Sequence, residues 1–214
     1  MPCGAILLKK ASDPVEKKKY TNEMLQLLRS MQNIEYIHPE DIPNINLYMD
    51  QVTSFMDEHL KSSKRFEDDK ILTKTMINNY TKNKLLPPPE KKKYTSEHVL
   101  LLTYIYYLKN FLSIGDIQKI LEPVTDRFFR QDEGLSFQDV YQEVVDLTMA
   151  NIDVQARDII RKMKKSNEAF ADVEDPHDKD LLSKFTFICM LSFDIWVKKY
   201  IIENLVDDSL GEKK

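Results

Sequence analysis

The stretch that decides the fold runs from Thr73 to Val99 and reads TKTMINNYTKNKLLPPPEKKKYTSEHV. It predicts a short helix over 74–82 that begins after the capping residue Thr73. At 100° per residue, this helix has an apolar side and a polar face. The polar face carries Lys74, Thr75, Asn78, Asn79 and Lys82. Asn can bond adenine bidentately and Lys can contact phosphate or guanine, so this face has the chemistry of a DNA-reading helix. A solvated amphipathic helix is the alternative.

The segment after this helix predicts a small β wing. Pro87–Pro89 cannot continue a helix because prolines lack the backbone donor and have a fixed φ. Two extended arms, Lys84–Leu86 and Lys92–Tyr94, are predicted to flank this proline tip. The far side carries Lys91, Lys92, Lys93 and Tyr94. Such an arm suits sequence-independent phosphate contact, with Lys91 and Lys93 facing the duplex together because side chains alternate along a strand. Taken alone, the lysine run is also consistent with a solvated edge.

Most of the remaining chain predicts helix. Asn46 can cap a helix whose apolar stripe ends at Leu60, and Thr21 and Asn22 open another near the N-terminus. Thr95 or Ser96 opens a helix to about residue 110 that is apolar nearly all round, which indicates burial on several sides. A capping box over 113–116 opens a helix predicted to end before Pro123. Two long helices are predicted over 136–165 and 179–206. The predicted fold class is therefore mainly α with a small β wing.

These motifs resemble a known superfamily. The segment 73–87 resembles the recognition helix and wing entry of MerR-type regulators: a capping Thr73, an apolar anchor, a pair ending in Tyr80, and a Lys-Leu-Leu-Pro turn. Residues 94–99 and 108–117 resemble the two helices that follow that wing. The stretch 46–121 also resembles an uncharacterised Firmicutes family with a MerR-like domain, in which the motif Leu47–Val52 recurs.

The resemblance implies a domain organisation and a function. It implies an N-terminal helical extension over 1–45, a MerR-like winged helix-turn-helix over 46–122, and an α-helical C-terminal region over 123–214 for dimerisation or effector binding. The chain would be a DNA-binding transcriptional regulator, acting as a homodimer, with an effector of unknown identity. The expected DNA-binding residues are Lys74, Thr75, Asn78, Asn79, Tyr80, Lys82, Lys91, Lys92, Lys93 and Tyr94, of which Thr75, Asn78 and Asn79 face base edges. The alternative is a protein-interaction or small-molecule-sensing helical module that retains the fold without DNA binding.

Charge and composition narrow the function further. The chain has 214 residues, with 31 Lys and Arg against 35 Asp and Glu, so its net charge of −4 does not by itself favour nucleic acid. Residues 61–98 nevertheless carry ten basic and five acidic side chains, a basic segment in an acidic protein. The four glycines build no phosphate-binding loop, which argues against the common ATP, GTP and NAD enzymes. Without a visible catalytic set, we expect no enzyme activity and no cofactor.

The C-terminal region supplies the remaining expectations. Its densest set of potential metal ligands is Asp175, His177, Asp178 and Asp180. A helix start explains aspartates there, so we expect no metal. Cys189 is predicted to be a small core residue, and the nearby aromatic residues are predicted to form core or a dimer interface, with an effector pocket as the alternative. The longest uncharged run, Phe185–Phe193, is too short to span a bilayer, and the N-terminus has no signal-peptide pattern, so we expect a cytoplasmic protein with no membrane partner.

Overall fold

The computed structural model describes residues 36–131 and 133–210, together with Asn22, Gln26 and Met31. Those three residues are helical, and the rest of the predicted N-terminal helix lies outside the described residues. The described part of the chain is mainly helical and includes one two-stranded sheet, which confirms the predicted mainly α class. The chain divides into two compact units, one formed by residues 34–146 and 203–214 and the other by residues 1–33 and 147–202.

The described elements of the first unit follow one another closely along the chain. They are β1 (Leu47–Tyr48), α1 (Met49–His59), α2 (Lys74–Lys82), β2 (Lys93–Tyr94), α3 (Ser96–Leu108), α4 (Ile114–Phe128) and most of α5 (Phe137–Ala150). Short 3-10 turns occur at Pro39–Asp41 and Lys61–Ser63, and a π-helical turn spans Val206–Leu210. β1 and β2 are antiparallel, with Leu47 opposite Tyr94 and Tyr48 opposite Lys93.

The centre of the first unit is α3, whose sequence predicts burial on several sides. The structure confirms this, because Val99, Leu100, Leu101, Leu102 and Ile105 are all fully buried. Thr103 is also buried, and its hydroxyl donates to the Val99 carbonyl at 2.9 Å, so the polar atom is satisfied within the helix. α1 and α2 each bury an apolar side in the same core.

A long charged connector, residues 60–73, joins α1 to α2 and is fastened to the C-terminal half of α3. Lys109 Nζ, just beyond α3, donates to the Ile71 carbonyl at 2.9 Å and lies 4.8 Å from the Tyr106 ring centroid. The hydroxyls of Ser63 and Tyr106 are 2.5 Å apart. Burial lowers the pKa of Lys109. These contacts hold a connector whose sequence alone predicts only turn or loop.

The predicted start of α1 and the predicted end of α4 are both wrong. α1 begins at Met49 rather than after Asn46, because Leu47 and Tyr48 are extended and pair with β2. α4 does not end before Pro123 but continues to Phe128. Proline removes one helical hydrogen bond, yet the turn beyond it is held by tertiary packing, since Phe129 lies edge-on to the His98 ring at 4.9 Å.

The predicted helix over 136–165 is two helices, α5 and α6 (Ile152–Glu168), separated at Asn151. The Asn151 side chain donates to the Leu147 carbonyl at 2.8 Å, and its own backbone N–H bonds Thr148 with a tighter 3-10 spacing. Asn competes in this way for backbone groups that a continuous helix would use. The start of α5 is as predicted, since Ser136 and Asp139 form a reciprocal cap.

Besides Asn22, Gln26 and Met31, the described part of the second unit consists of the end of α5, α6 and most of the 30-residue helix α7 (Pro176–Leu205). Asp175 caps α7, because its Oδ1 accepts from the backbone N–H groups of His177 and Asp178 at 2.8 and 2.9 Å. Lys162 on α6 pairs with Asp158 of its own helix and with Asp194 on α7, the latter at 2.6 Å. Cys189 is exposed, so the prediction that it lies in the core is wrong.

Candidate nucleic-acid interface

The helix α2 forms where the sequence predicts it and is anchored on one side only. Thr73 Oγ1 accepts from the Met76 backbone N–H at 3.2 Å, which caps the N-terminus. Ile77 and Tyr80 are buried against the core. We call the exposed side the α2 polar face, and it consists of Lys74, Thr75, Asn78, Asn79 and Lys82.

The C-terminus of α2 has a strained backbone. Lys84 has a φ of 59°, a left-handed conformation that glycine adopts most easily. The Lys84 N–H bonds the Thr81 carbonyl at 3.2 Å, and the Leu85 N–H bonds the Tyr80 carbonyl at 2.8 Å. This pair of bonds is a Schellman cap, sealed by the buried side chain of Leu85. The cap turns the chain away from the helix and into the proline segment.

The predicted pairing of arms Lys84–Leu86 and Lys92–Tyr94 around a proline tip is wrong. Lys84 and Leu85 belong to the helix cap, and Pro87–Pro89 have no N–H to offer a neighbouring strand. The chain reverses instead at Lys91 and Lys92, which have φ values of 49° and 64°. Glu90 and Lys93 bridge across this two-residue turn, with the Lys93 N–H donating to the Glu90 carbonyl at 2.8 Å. We call residues 91 and 92 the lysine turn.

Contacts on several sides support the base of the lysine turn. Arg130 donates to Glu90 Oε1 at 2.6 Å, and its backbone N–H donates to Glu97 Oε2 at 2.9 Å, so it joins the turn to the start of α3. Lys93 places its ammonium 5.3 Å from the Tyr48 ring centroid. The turn therefore projects from a base that is tied to β1, to α3 and to the segment after α4.

The buried His98 is a structural residue of the site that the sequence analysis did not single out. Its Nδ1 accepts from the Thr95 backbone N–H at 3.0 Å, which completes a capping box at the start of α3. Its ring lies edge-on to Tyr94 and Phe129. Burial, and secondarily the Arg130 guanidinium, lowers the pKa of His98 to about 4, although the carbonyls of Pro88 and Pro87 act in the opposite direction. The spacing Thr-x-x-His is the signal that could have found it.

The structure divides the ten predicted DNA-binding residues into three groups. Tyr80 and Tyr94 are buried and do not lie on the exposed surface that carries the other predicted residues. Lys74 is exposed but forms an ion pair with Asp50, and Lys93 is half-buried against Tyr48. The exposed residues outside these contacts are Thr75, Asn78, Asn79, Lys82, Lys91 and Lys92.

The two tyrosines have the same physical reason for their burial. A phenol ring carries far more apolar surface than its single hydroxyl can offset, so a tyrosine at the edge of a core packs inward. Burial raises the pKa of both Tyr80 and Tyr94 above the ordinary tyrosine value. They anchor α2 and β2 from beneath the surface that carries the polar residues.

The charge of this surface is strongly positive for so short a segment. Residues 74–94 contain six lysines and one glutamate, a net charge of +5 in a chain whose net charge is −4. That glutamate, Glu90, is already paired with Arg130. Such a patch attracts a polyanion without any requirement for a particular sequence.

Within 36–131 and 133–210, no group of three His, Cys, Asp or Glu side chains could hold a metal ion. No helix in the same ranges is long and apolar enough to cross a membrane. In the second unit, α6 and α7 border an open cavity of about 420 Å³. Its apolar lining is Val154, Ile159, Leu191 and Ile195.

Comparison with known proteins gives a family. The model of the domain of unknown function DUF1836 matches residues 37–144, slightly more than half of the chain. The chain belongs to the DUF1836 family. The matched DUF1836 segment lies within the first compact unit, and it contains the α2 polar face, the lysine turn and His98. No curated protein and no solved structure matches the chain.

Proposed function

We propose that the DUF1836 domain binds duplex DNA and that the chain is a transcriptional regulator with a MerR-like winged helix-turn-helix. In this proposal the α2 polar face enters the major groove, where Asn78 and Asn79 contact base edges. The lysine turn contacts the phosphate backbone as the wing.

The observation that carries the proposal is the residue type at the lysine turn. Both turn residues have positive φ, which costs a side chain with a Cβ about 1 kcal/mol or more and which Asn-Gly adopts readily. Lysine therefore has an unfavourable backbone conformation at both positions. What its side chain contributes to the turn is a positive charge. Strained residues of this kind concentrate at functional sites. A lysine turn supported at its base by Arg130 and Glu90 suits phosphate contact.

The geometry of α2 supports the same function. The helix has nine residues and its outward side is entirely polar, while the opposite side is fixed by Ile77 and Tyr80. Asn78 and Asn79 are exposed in the middle of the helix. A rigid helix with central amides and flanking lysines matches what direct readout requires.

The experiment replaces the lysine turn with the residues that its backbone prefers. We expect Lys91→Asn combined with Lys92→Gly to leave the domain as stable or more stable, because Asn-Gly relieves the positive-φ strain. We also expect weaker binding to a duplex of mixed sequence. The slope of log K against log salt concentration should become less negative by about two, since each phosphate that a lysine neutralises contributes about −0.9. Fluorescence anisotropy at several salt concentrations measures both quantities.

Lys164→Gln combined with Lys165→Gln is the matched control. It removes two exposed lysines from α6 and leaves the lysine turn intact, so the salt slope should stay at the wild-type value. If the wild-type protein fails to bind duplex DNA even at low salt, the proposal is wrong and the module without DNA binding is the better hypothesis. An unchanged slope in the turn variant would remove the turn from the interface.

A further inference from the structure

Arg130 combines a strained backbone with a guanidinium held beside the lysine turn. Its φ of 58° is a left-handed conformation that a residue with a Cβ adopts at a cost. Its backbone N–H donates to Glu97 Oε2 at 2.9 Å, which fixes the residue against the start of α3. Strained residues concentrate at functional sites, yet Arg130 lies outside the ten residues that the sequence predicts to contact DNA. The strain therefore points to a use for its side chain.

Two contacts of different strength hold the guanidinium of Arg130. It lies 5.6 Å from the centroid of the Phe129 ring, which is itself packed edge-on against the buried His98 at 4.9 Å. The second contact is the ion pair with Glu90, in which one guanidinium nitrogen donates to one carboxylate oxygen at 2.6 Å. The Glu90 side chain is 76% exposed, and an exposed ion pair contributes little to stability. An anion from solution can therefore displace Glu90 while Phe129 keeps the guanidinium in place.

Glu90 has the opposite charge to the surface that surrounds it. It is the one acidic side chain among residues 74–94, which contain six lysines. It directly precedes the lysine turn, and its backbone carbonyl accepts from the Lys93 N–H across that turn. A carboxylate offers a guanidinium the same kind of oxygen acceptors that a phosphate offers. Glu90 therefore occupies the place at Arg130 that a phosphate oxygen would take.

We propose that Arg130 is a third phosphate-binding cation beside the lysine turn and that Glu90 occupies its guanidinium in the free domain. This role rests on the DNA binding proposed above. When duplex DNA binds, a phosphate replaces Glu90 at the guanidinium and the carboxylate turns to solvent. Phosphates follow one another about every 3.4 Å of helix axis along one strand, so adjacent cations on the protein can contact neighbouring phosphates. Because its displacement costs free energy, Glu90 weakens binding to every DNA sequence alike.

Two substitutions in the full chain separate this role from a purely structural one, because they should change affinity in opposite directions. Arg130→Gln removes the cation but keeps the backbone N–H that bonds Glu97. It should weaken binding to a mixed-sequence duplex and make the slope of log K against log salt concentration less negative by about 0.9. Glu90→Gln removes the competing anion and should strengthen binding about threefold or more. Fluorescence anisotropy at several salt concentrations measures both effects.

Three further variants separate displacement of Glu90 from a general effect of charge. When Arg130→Gln is already present, Glu90→Gln should give a smaller gain in affinity than in the wild type, since no guanidinium is left to be freed. Arg130→Lys keeps the positive charge and should keep the salt slope. Arg157→Gln is the matched control, because Arg157 is an exposed arginine of α6 and its loss should leave the slope at the wild-type value.

Three outcomes would overturn this role of Arg130 and leave DNA binding intact. If Arg130→Gln and Glu90→Gln both weaken binding, the ion pair only holds the lysine turn in position. An unchanged salt slope in Arg130→Gln, with the circular dichroism spectrum of the wild type, would mean that no phosphate contacts Arg130. An equal gain from Glu90→Gln with and without Arg130→Gln would mean that Glu90 only repels phosphate. If the wild-type chain binds no duplex at low salt, DNA binding itself is contradicted, and this role with it.

Discussion

The two compact units differ in how far their apolar side chains are buried. The unit around α3 buries Val99 to Leu102 completely and presents asparagine and lysine to solvent. The unit that contains α6 and most of α7 leaves Phe185, Ile188 and Trp196 largely exposed. The family match covers most of the first unit and includes no residue of the second. Under the proposed function, the polar surface of the first unit contacts a charged polymer, whereas the second unit exposes apolar side chains.

The sharpest way to test this contrast is to make the same change in each unit. Leu100→Ala removes a fully buried side chain and should lower the free energy of unfolding by about 2–5 kcal/mol. Leu181→Ala removes one that is 58% exposed and should change it by about 0.5 kcal/mol or less. Urea denaturation followed by circular dichroism, at a concentration where the chain is monomeric, measures both. Similar losses in the two variants would contradict the contrast.

The second prediction concerns the pH dependence of stability in the first unit. Because burial lowers the pKa of His98 from 6.5 to about 4, the unfolded chain takes up a proton at this residue before the folded chain does. The contribution of neutral His98 is therefore complete above pH 6.5 and is lost as the pH falls toward 4. The difference in pKa corresponds to about 3 kcal/mol.

His98→Gln is the variant that isolates this effect. Glutamine at this position can still accept from the Thr95 N–H in a capping box but does not titrate. The carboxylates titrate in both proteins. Their contribution therefore cancels when the unfolding free energy of the variant is subtracted from that of the wild type at each pH. If the difference is constant between pH 4 and 7, His98 does not contribute the pH dependence.

The third prediction concerns the α2 polar face. Asn78→Ala and Asn79→Ala should each weaken binding to a duplex selected by the wild-type protein by about 1–3 kcal/mol. Binding to mixed-sequence DNA and the helical content should change little, because both side chains are exposed. Gln138→Ala, an exposed amide on α5, is the control. If the variant that carries both Asn78→Ala and Asn79→Ala keeps full affinity and full sequence preference, α2 does not contact base edges.

The smallest effect is expected at the C-terminus of α2. Lys84→Gly replaces a lysine at a φ of 59° with the residue that Schellman caps prefer, and it should stabilise the domain by about 0.5–1 kcal/mol. Thermal unfolding of the two proteins side by side measures the change. A loss of stability would mean that the Lys84 side chain contributes more to packing than its backbone strain costs.

Local signals predicted the elements of the first unit well. Thr73 before α2, Ser113 before α4 and Ser136 before α5 all act as the caps that their spacing predicts. The apolar α3 predicted its own burial. These predictions succeed because capping and periodicity depend on residues within one or two turns of each other.

Predictions failed where a distant residue decides the outcome. Tyr48 forms a strand because it lies opposite Lys93, 45 positions along the chain. Tyr80 lies on the apolar side of the helical wheel, and how deeply it is buried depends on residues outside α2. The lysine turn could not be located because nothing in three consecutive lysines indicates which two adopt positive φ. The DNA-binding role of the polar face remains a prediction.

By itself, the sequence determined the helical class, the caps, the basic segment and the absence of a glycine-rich phosphate loop. All of these follow from residue type and short-range spacing. The tertiary structure alone decided that Tyr80 and Tyr94 are buried, that the hairpin turns at Lys91 and Lys92, and that Phe185, Ile188 and Trp196 of α7 are exposed. The physical reason is that burial, strand pairing and the choice of an exposed face depend on free energies shared between residues far apart in the chain.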